Sequence, residues 1–541
     1  MPRFTVSRSV SPAVADALVL RRDDVVGEVE EVGRDGDAAP AAVETWRYGL
    51  GDGPFTRYSR VVEVDRGAGS VGSVVVRETY DFALPAGTWR FLLTPAVRGA
   101  LRRRRFVPPG AGGEGRRLPW WFPPERPDAR AAMVLGLLAS LALVLGYLSS
   151  LLRQTMTFAA DEFGAGTSAQ GTAFAAVRIG GVLAILLGMM ADRRGRRVVL
   201  ALAMSASILA TLAGAVAPGL AFLTVTQAVS RGAWVSAGIL LVVVAAEEMP
   251  AGARAYALSV LALTGSLGAG MVLWVLPVAG IDEHAWRLLY LVPVLFVPPV
   301  LRIGRLVPES RRYIRPHRRL PLAGHYRRLA LVGGAALLLN IFAAPEAQFL
   351  NEFLRNERGM SATGISLFGL AVGTPVGIGV YIGGRLADTR GRRVVGAAGL
   401  AVGTVLTAAT FGLTGPAMWL SAIVGGIFAA ATVPTIGVYG PELFPTSLRG
   451  RANGIISTTA MVGAAIGLVA AGHLEDALGS FARALGVLAL FPLVIAVLIL
   501  VWFPETARRE LEDINPEDRV ASPQPGDPAG DRVADLDVGA P

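Results

Sequence analysis

Four ionisable residues stand inside long apolar runs: Arg153, Arg178, Arg231 and Glu346. A charge carried into hydrocarbon costs at least ~2.5–3.5 kcal/mol on insertion scales, so each is a functional candidate by default. A guanidinium offers a fork of donors that matches a carboxylate or a phosphate. Three cations against one acid therefore point to a negatively charged partner, with Glu346 as the one group placed there to carry a proton. Arg178 precedes Gly188 by about 15 Å of helix, which is mid-membrane depth. Arg231 has Trp234 one turn on and Gln227 one turn back. With Asn340, these four form the expected substrate-binding set. Arg153 and Glu346 fall toward the far ends of their runs and are expected to pair as a gate and coupling point. Bland readings stand beside these. Arg153 can snorkel to headgroups, Arg231 can serve backbone carbonyls, Arg178 can belong to a structural pair, and Glu346 can lie in a wetter outer end.

Other chemistries are poorly supplied. There is no cysteine and there are four histidines, which excludes thiol catalysis, Cys-ligated zinc and iron–sulfur clusters. No phosphate-cradling glycine loop, zinc spacing or nucleophile elbow occurs. The sequence is thus not that of an enzyme, and it calls for no cofactor or metal beyond a coupling proton.

The elements that must position the four charges are apolar helices. Of 541 residues, 52% are hydrophobic and 17% charged, against roughly 25% charged in soluble domains. Mean hydropathy is +0.50. From Ala131 to about Phe503, apolar stretches of membrane-spanning length alternate with short polar breaks. Twelve spans can be marked, starting near Ala131, Thr172, Val198, Leu220, Ala255, Leu288, Leu329, Ile365, Val394, Ala417, Ala452 and Ala484. All 51 basic residues are arginine, as a GC-rich bacterial genome would impose, and the net charge of +9 is not read as nucleic-acid binding. It is concentrated in alternate loops, at 193–197, 254, 302–319, 390–393 and 449–451, whereas the opposite loops hold little beyond Arg287, Arg355, Arg358 and Arg483. The positive-inside rule puts the rich loops, and with twelve spans both termini, on the cytoplasmic side of a multi-pass cell-membrane protein.

The apolar zone repeats itself. Ala191-Asp-Arg-Arg-Gly-Arg-Arg-Val-Val199 returns as Ala387-Asp-Thr-Arg-Gly-Arg-Arg-Val-Val395. Glu247-x-x-Pro250-x-x-x-Arg254 returns as Glu442-x-x-Pro445-x-x-x-Arg449, and Pro308-Glu309-Ser310 as Pro504-Glu505-Thr506. Order and register are both kept, so the zone is two copies of six helices. Such repeats place a solute site between the halves near mid-membrane. None of the three arginines is mirrored, as an asymmetric substrate would require. The expected organisation is a small α+β region at 1–105, a Pro/Trp linker at 106–130, six-helix bundles at 131–310 and 329–507, an inter-half loop at 311–328, and a disordered tail at 508–541.

These loops carry a family resemblance. Gly188-Met-Met-Ala-Asp192-Arg-Arg-Gly195-Arg196-Arg197 and Gly384-Arg-Leu-Ala-Asp388-Thr-Arg-Gly391-Arg392-Arg393 resemble the signature loop of the major facilitator superfamily, after its second and eighth helices. Gly440-Pro-Glu-Leu-Phe-Pro-Thr-Ser-Leu-Arg449-Gly, Pro308-Glu-Ser and Phe503-Pro-Glu-Thr resemble its sugar-porter and metabolite–proton symporter branch. The resemblance covers 131–510. It implies an all-α membrane fold of twelve helices and a secondary transporter of a small solute, a monomer in the lipid bilayer, working by alternating access. It also implies a cytoplasmic latch made of these loops with Glu247, Arg254, Glu309, Glu442, Arg449 and Glu505. Asp192 and Asp388 stand beside arginines able to pair with them, and Glu247 and Glu442 can accept from the same set; anchoring to anionic headgroups is the alternative. Two departures bear on substrate. The branch usually has an arginine four residues before the glycine of helix four, where this chain has Ala228, and sugar porters usually have an acid within helix one, which is missing. An organic anion or acidic metabolite is therefore favoured over a sugar. An amphiphile-exporting antiporter is the alternative in the same fold, although Gly265-Ser-Leu-Gly268-Ala-Gly270 reads better as a packing face than as an antiporter motif.

Residues 1–105 share none of this. Alternating runs such as 73–82 suggest strands, and Trp89 to Arg105 reads as a basic amphipathic helix. It suits the inner membrane face or a small sheet of its own. With Val6-Ser-Arg-Ser-Val-Ser-Pro12, the region resembles a helix-grip domain of the polyketide-cyclase and lipid-transfer kind. That resemblance implies a third reading, a sensor or lipid-handling protein acting through this region.

Overall fold

The computed structural model describes residues 3–31, 43–67, 73–85, 87–103, 119, 121–123, 125–250, 253–298, 300–301, 322–436, 439, 443–445 and 448–506. Most of the linker, most of the inter-half loop, and the tail lie outside these residues.

Near the N-terminus, five strands form one antiparallel sheet. They are β1 (Arg3–Val10), β2 (Gly27–Glu30), β3 (Val43–Asp52), β4 (Arg57–Asp65) and β5 (Val74–Ala83), in the order β1-β5-β4-β3-β2. Alternation sets one face inward: Tyr58, Arg60, Val62 and Val64 of β4 are buried with Val74, Val76, Glu78, Tyr80 and Phe82 of β5. Helix α1 (Pro12–Val19) covers one end of that face through Ala15 and Leu18. Helix α2 (Arg90–Arg102) covers the other through Val97 and Leu101, which pack with Phe4, Tyr58 and Tyr80. The basic helix thus lies on its own sheet, because its apolar residues meet a larger apolar surface there. Its first turn is different: Phe91 and Leu92 stay exposed, and the preceding Trp89 donates from Nε1 to Ser140 Oγ at 2.9 Å.

The space under the sheet holds charge. Arg60 bonds Glu28 at 2.7 Å and Glu78 at 3.1 Å, with all three side chains essentially buried. It also donates to the carbonyls of Leu18 and Leu20. Arg22 donates to Tyr80 Oη and to Leu101 O, both at 2.9 Å. Burial works against the Arg22 charge, but Tyr80 and Asp24 outweigh it and hold the guanidinium above its ordinary range.

The remainder is helical. The first half comprises α3 (Ala129–Phe163), α4 (Thr167–Ile179), α5 (Val182–Arg194), α6 (Arg196–Gly214), α7 (Leu220–Glu248), α8 (Arg254–Val275) and α9 (Trp286–Leu291). The second comprises α10 (Tyr326–Glu352), α11 (Ala362–Gly373), α12 (Val376–Arg390), α13 (Arg392–Thr410), α14 (Gly415–Ile436), α15 (Arg449–Leu478), α16 (Phe481–Leu488) and α17 (Leu490–Trp502). Among the described residues, eleven helical stretches are long and apolar enough to cross a membrane, not twelve. The sixth expected span is a shorter apolar run, Trp286–Phe296. It tightens into a 3-10 turn at Val292–Phe296, where Pro293 supplies no N–H to an α-helical ladder. The second and eighth spans each break in mid-course, at 180–181 and at 374–375.

Glycines set two features of the body. Gly195 and Gly391, with φ of 94° and 97°, turn α5 into α6 and α12 into α13, a conformation that side chains disfavour. Gly146 and Gly268 bring α3 and α8 into contact. A Cβ on Gly268 would lie 1.8 Å from the carbonyl oxygen of Leu143, and one on Gly146 would lie 1.9 Å from that of Gly265. Gly268 of α8, with Gly265 against Gly146, thus forms a packing face, whereas a Cβ on Gly270 meets nothing within 4 Å.

Candidate substrate cavity

Arg153 from α3, Arg178 from α4, and Arg231 with Gln227 and Trp234 from α7 line one small cavity of about 30 Å³. Each comes from a helix that is otherwise largely apolar, so the charged side chains gather where space remains between the helices. Arg178 occupies the last turn of α4, just before the break at Gly180 and Gly181. A Cβ on Gly180 would lie 2.0 Å from Ala228 O, so α4 and α7 approach closely beside Arg178 and Arg231. Arg231 stacks on Trp234 with 5.2 Å from guanidinium carbon to ring centroid, a cation–π contact. Arg178 and Arg231 repel each other. Among the described residues, none of the three guanidiniums donates a hydrogen bond or forms an ion pair within 4.0 Å. Arg178 Nε and Gln227 Nε2 are both buried without a partner. Unpaired donors on buried cations leave a site that an anion would satisfy.

Two expectations about this region change. Arg153 is not at the mouth of the protein: α3 is 35 residues long and continues some 15 Å beyond it, whereas a minimal span from Ala131 would have ended nearby. Glu346 of α10 faces Arg153 and attracts it, but no ion pair forms within 4.0 Å. Asn340 is not on the cavity wall; its amide donates to Ala336 O at 2.9 Å on its own helix. Ser149, Phe174 and Gln348 line the cavity as well and were not singled out. Gln348, whose Oε1 is buried and unpartnered, is legible by the same criterion as the arginines, a polar residue in an apolar run.

The halves meet at the end carrying Asp161 and Arg355, whose ion pair measures 2.6 Å. Asn351 donates to Gln154 Oε1 at 2.7 Å, and Gln170 donates to Glu352 Oε1 at 2.9 Å, in both cases from one half to the other. Ser366 donates to Leu273 O across the same seam. These groups, rather than Arg153 and Glu346, close that end. At the opposite end, α5 packs chiefly on α6 and α7 of its own half, and α12 on α13 and α14 of its own. Ile185, Leu186 and Met189 of α5 are exposed there. Among the described residues, the halves are joined at the end of Asp161 and Arg355, while at the other end α5 and α12 pack chiefly within their own halves.

In those loops Arg196 pairs with Glu247. In the second half Glu505 instead accepts the backbone N–H groups of Arg392 and Arg393 at 3.0 and 3.2 Å, a carboxylate at the start of α13, where free N–H groups favour negative charge. Arg392 also donates to Thr506 at 3.0 Å. Gly188 and Gly384 lie within α5 and α12, Arg197 in the first turn of α6, and Arg254 at the start of α8. Glu309 and Glu442 lie outside the described residues, as do the side chains of Asp192, Asp388 and Arg449.

A family model described as Major Facilitator Superfamily matches residues 329–531. The match covers the second helical half of the chain. Its solved neighbours extend the fold across both halves. The nucleoside transporter NupG superposes with a TM-score of 0.60 at 15% identity, covering 69% of this chain and 100% of its own. The xylose transporter XylE from E. coli, inward open, gives 0.59 at 16% identity, covering 72% and 99%. A bacterial homologue of the human lysosomal transporter Spinster, inward-facing and occupied, gives 0.59 at 14% identity, covering 70% and 96%. No curated protein sequence matches the chain. The helical body thus shares the multi-pass fold of these membrane transporters, and the N-terminal sheet is an extension of it.

Proposed function

We propose that the protein is a secondary active transporter of a small organic anion, working by alternating access between its two halves. The observation that carries this reading is the convergence of Arg153, Arg178 and Arg231 on one cavity with no hydrogen bond from any of the three to a described residue. Nucleosides and xylose, the solutes named for two of the neighbours, are neutral and would leave these cations uncompensated. In this reading Arg178, Arg231 and Gln227 hold the anionic group, and Trp234 fixes the Arg231 guanidinium. Glu346 neutralises Arg153 until it takes a proton, which couples the solute to a proton gradient. The arginine-rich loops face the cytoplasm of a cell membrane, so the conformation described is open to the inside. Arg196, Glu247 and Glu505 then belong to a cytoplasmic latch assembled within each half.

Purified protein in liposomes is expected to take up carboxylate or phosphate compounds, and Arg178→Ala to abolish that uptake. Undiminished uptake in the variant would remove the anion assignment. The lipid-handling reading of residues 1–105 is disfavoured, because the face between sheet and helices is filled by Arg60, Glu28, Glu78 and Arg22 rather than open to a ligand. Transport that persists after deletion of 1–105 fits an accessory role for this region.

A further inference from the structure

Arg153 lines two cavities, not one. Beyond the three-guanidinium site, a second space of about 550 Å³ lies among α3, α8, α10 and α11, and Arg153 is the one charged residue on its wall. Most of that wall is apolar, with Leu263, Leu267 and Leu273 from α8, Leu350 from α10, and Phe368 and Val372 from α11. Its polar groups are largely engaged already. Asn351 is bonded to Gln154, and Thr374 donates to Leu370 O at 2.6 Å. Leu263 and Leu267 also remain exposed, so the space is not sealed. Apart from Arg153, Gln154 and Ser266, a compact hydrophilic anion finds little to bond there, whereas an alkyl or aryl group gains contact along most of the wall.

We propose that the transported solute is an amphipathic anion. Its carboxylate or phosphate sits among Arg178, Arg231 and Arg153, and its apolar portion passes Arg153 into the second space. This rests on the anion reading above and adds the class of the remainder of the molecule. Arg153 serves as the pivot, one guanidinium positioned where the charged end of such a ligand gives way to its tail.

The test uses the full chain in lipid nanodiscs and two homologous series, n-alkyl phosphates and n-alkyl carboxylates from methyl to octyl. Inorganic phosphate and acetate are included, and empty nanodiscs correct for partition. Affinity is measured by calorimetric titration. It is expected to rise by about fourfold per methylene, the factor for burying a CH2 group, in at least one series. Gly270 lines the second space, and a Cβ there meets nothing within 4 Å. Gly270→Phe is therefore expected to flatten the dependence on chain length while leaving the short members and inorganic phosphate unchanged. Arg178→Ala is expected to weaken every member. Equal affinity for methyl and octyl members would overturn the amphiphile while leaving the anion site standing. Failure of every member to bind would overturn the anion reading itself. A chain-length effect that survives Gly270→Phe would place the tail elsewhere and sink the proposal.

Discussion

Arg178 and Arg231 share one cavity and repel each other, and neither donates a hydrogen bond to any described residue. Such an arrangement is costly without a ligand, since a buried charge is stable only when paired. Arg178→Gln is therefore expected to leave the melting temperature of the ligand-free protein unchanged or to raise it by a few degrees, while removing stabilisation by added anions. Thermal unfolding with and without phosphate measures both. A clear fall in the ligand-free melting temperature would make Arg178 structural instead.

The contact between α3 and α8 has a sharper steric requirement. Gly268→Ala puts a Cβ 1.8 Å from Leu143 O, which is backbone and cannot step aside, whereas Gly270→Ala meets nothing within 4 Å. Overpacking of this kind costs about 1–3 kcal/mol or more. The expected outcome is a strongly destabilised Gly268→Ala beside an unaltered Gly270→Ala, read as melting temperatures in one detergent. Equal behaviour of the pair would contradict the close approach.

Much of the frame was legible because it is written in local chemistry. The repeated loops fix Gly195 and Gly391 at equivalent turns, both with positive φ, and the pairing of Arg196 with Glu247 follows from charges at facing helix ends. What escaped depends on where helices end and meet. Arg153 was set at a helix end because hydrophobicity marks a minimal span, and α3 outruns that minimum. Asp161 and Arg355 stand 194 residues apart in the sequence, and only the approach of α3 to the end of α10 makes them partners. Among the described residues the sixth span is an apolar helix over Trp286–Phe296 with a 3-10 turn at Pro293, a tightening that a hydropathy window does not register.

The closed end offers a conformational test. Asn351 makes two bonds to Gln154, to Oε1 at 2.7 Å and to the carbonyl at 3.1 Å, all within a buried seam. Removing a buried partner costs about 1–3 kcal/mol, and that cost falls on the closed state alone. Asn351→Ala is thus expected to raise the population open at this end by roughly tenfold, at about 1.4 kcal/mol per decade. Asp161→Asn breaks a partly exposed pair and should shift it by fivefold at most. Because the chain has no cysteine, Thr157→Cys, a buried position beside Glu352 of the seam where the change adds no bulk, can be labelled in each background, and labelling rates report the open fraction. Unchanged rates in Asn351→Ala would separate this seam from gating.

Within the N-terminal sheet, Arg60 depends on Glu28, which takes its Nε and Nη2 at 2.8 and 2.7 Å and also accepts from Tyr58 Oη and the Arg22 N–H. Glu28→Gln removes the carboxylate and leaves a buried guanidinium with Glu78 as its remaining counter-charge. Breaking one partner of a buried ion pair costs about 3–5 kcal/mol, a large share of what holds a small domain together. The variant is expected to expose residues 3–102 to proteolysis at its many arginines while the helical body stays folded and resistant. A digestion pattern identical to the parent would mean that Glu78 alone compensates Arg60.

The same network ties the sheet to alkaline pH. Burial raises the Tyr80 hydroxyl first of all, Glu78 raises it further, and Arg22 opposes them, leaving it at about 12. Tyr58 is held well above its ordinary range by burial and then by the Glu28 carboxylate. In the unfolded chain both hydroxyls ionise near pH 10. Between those values the unfolded state binds fewer protons than the folded one, so stability falls as pH rises. It is fully present below about pH 10 and lost progressively as pH climbs toward the folded value. Tyrosinate absorbance near 295 nm, followed during a pH jump, is expected to show a slow component gated by unfolding of the sheet, and Tyr58→Phe to shrink it. Fast, complete ionisation of every tyrosine at pH 11 would mean that these two hydroxyls are not enclosed by the charge network.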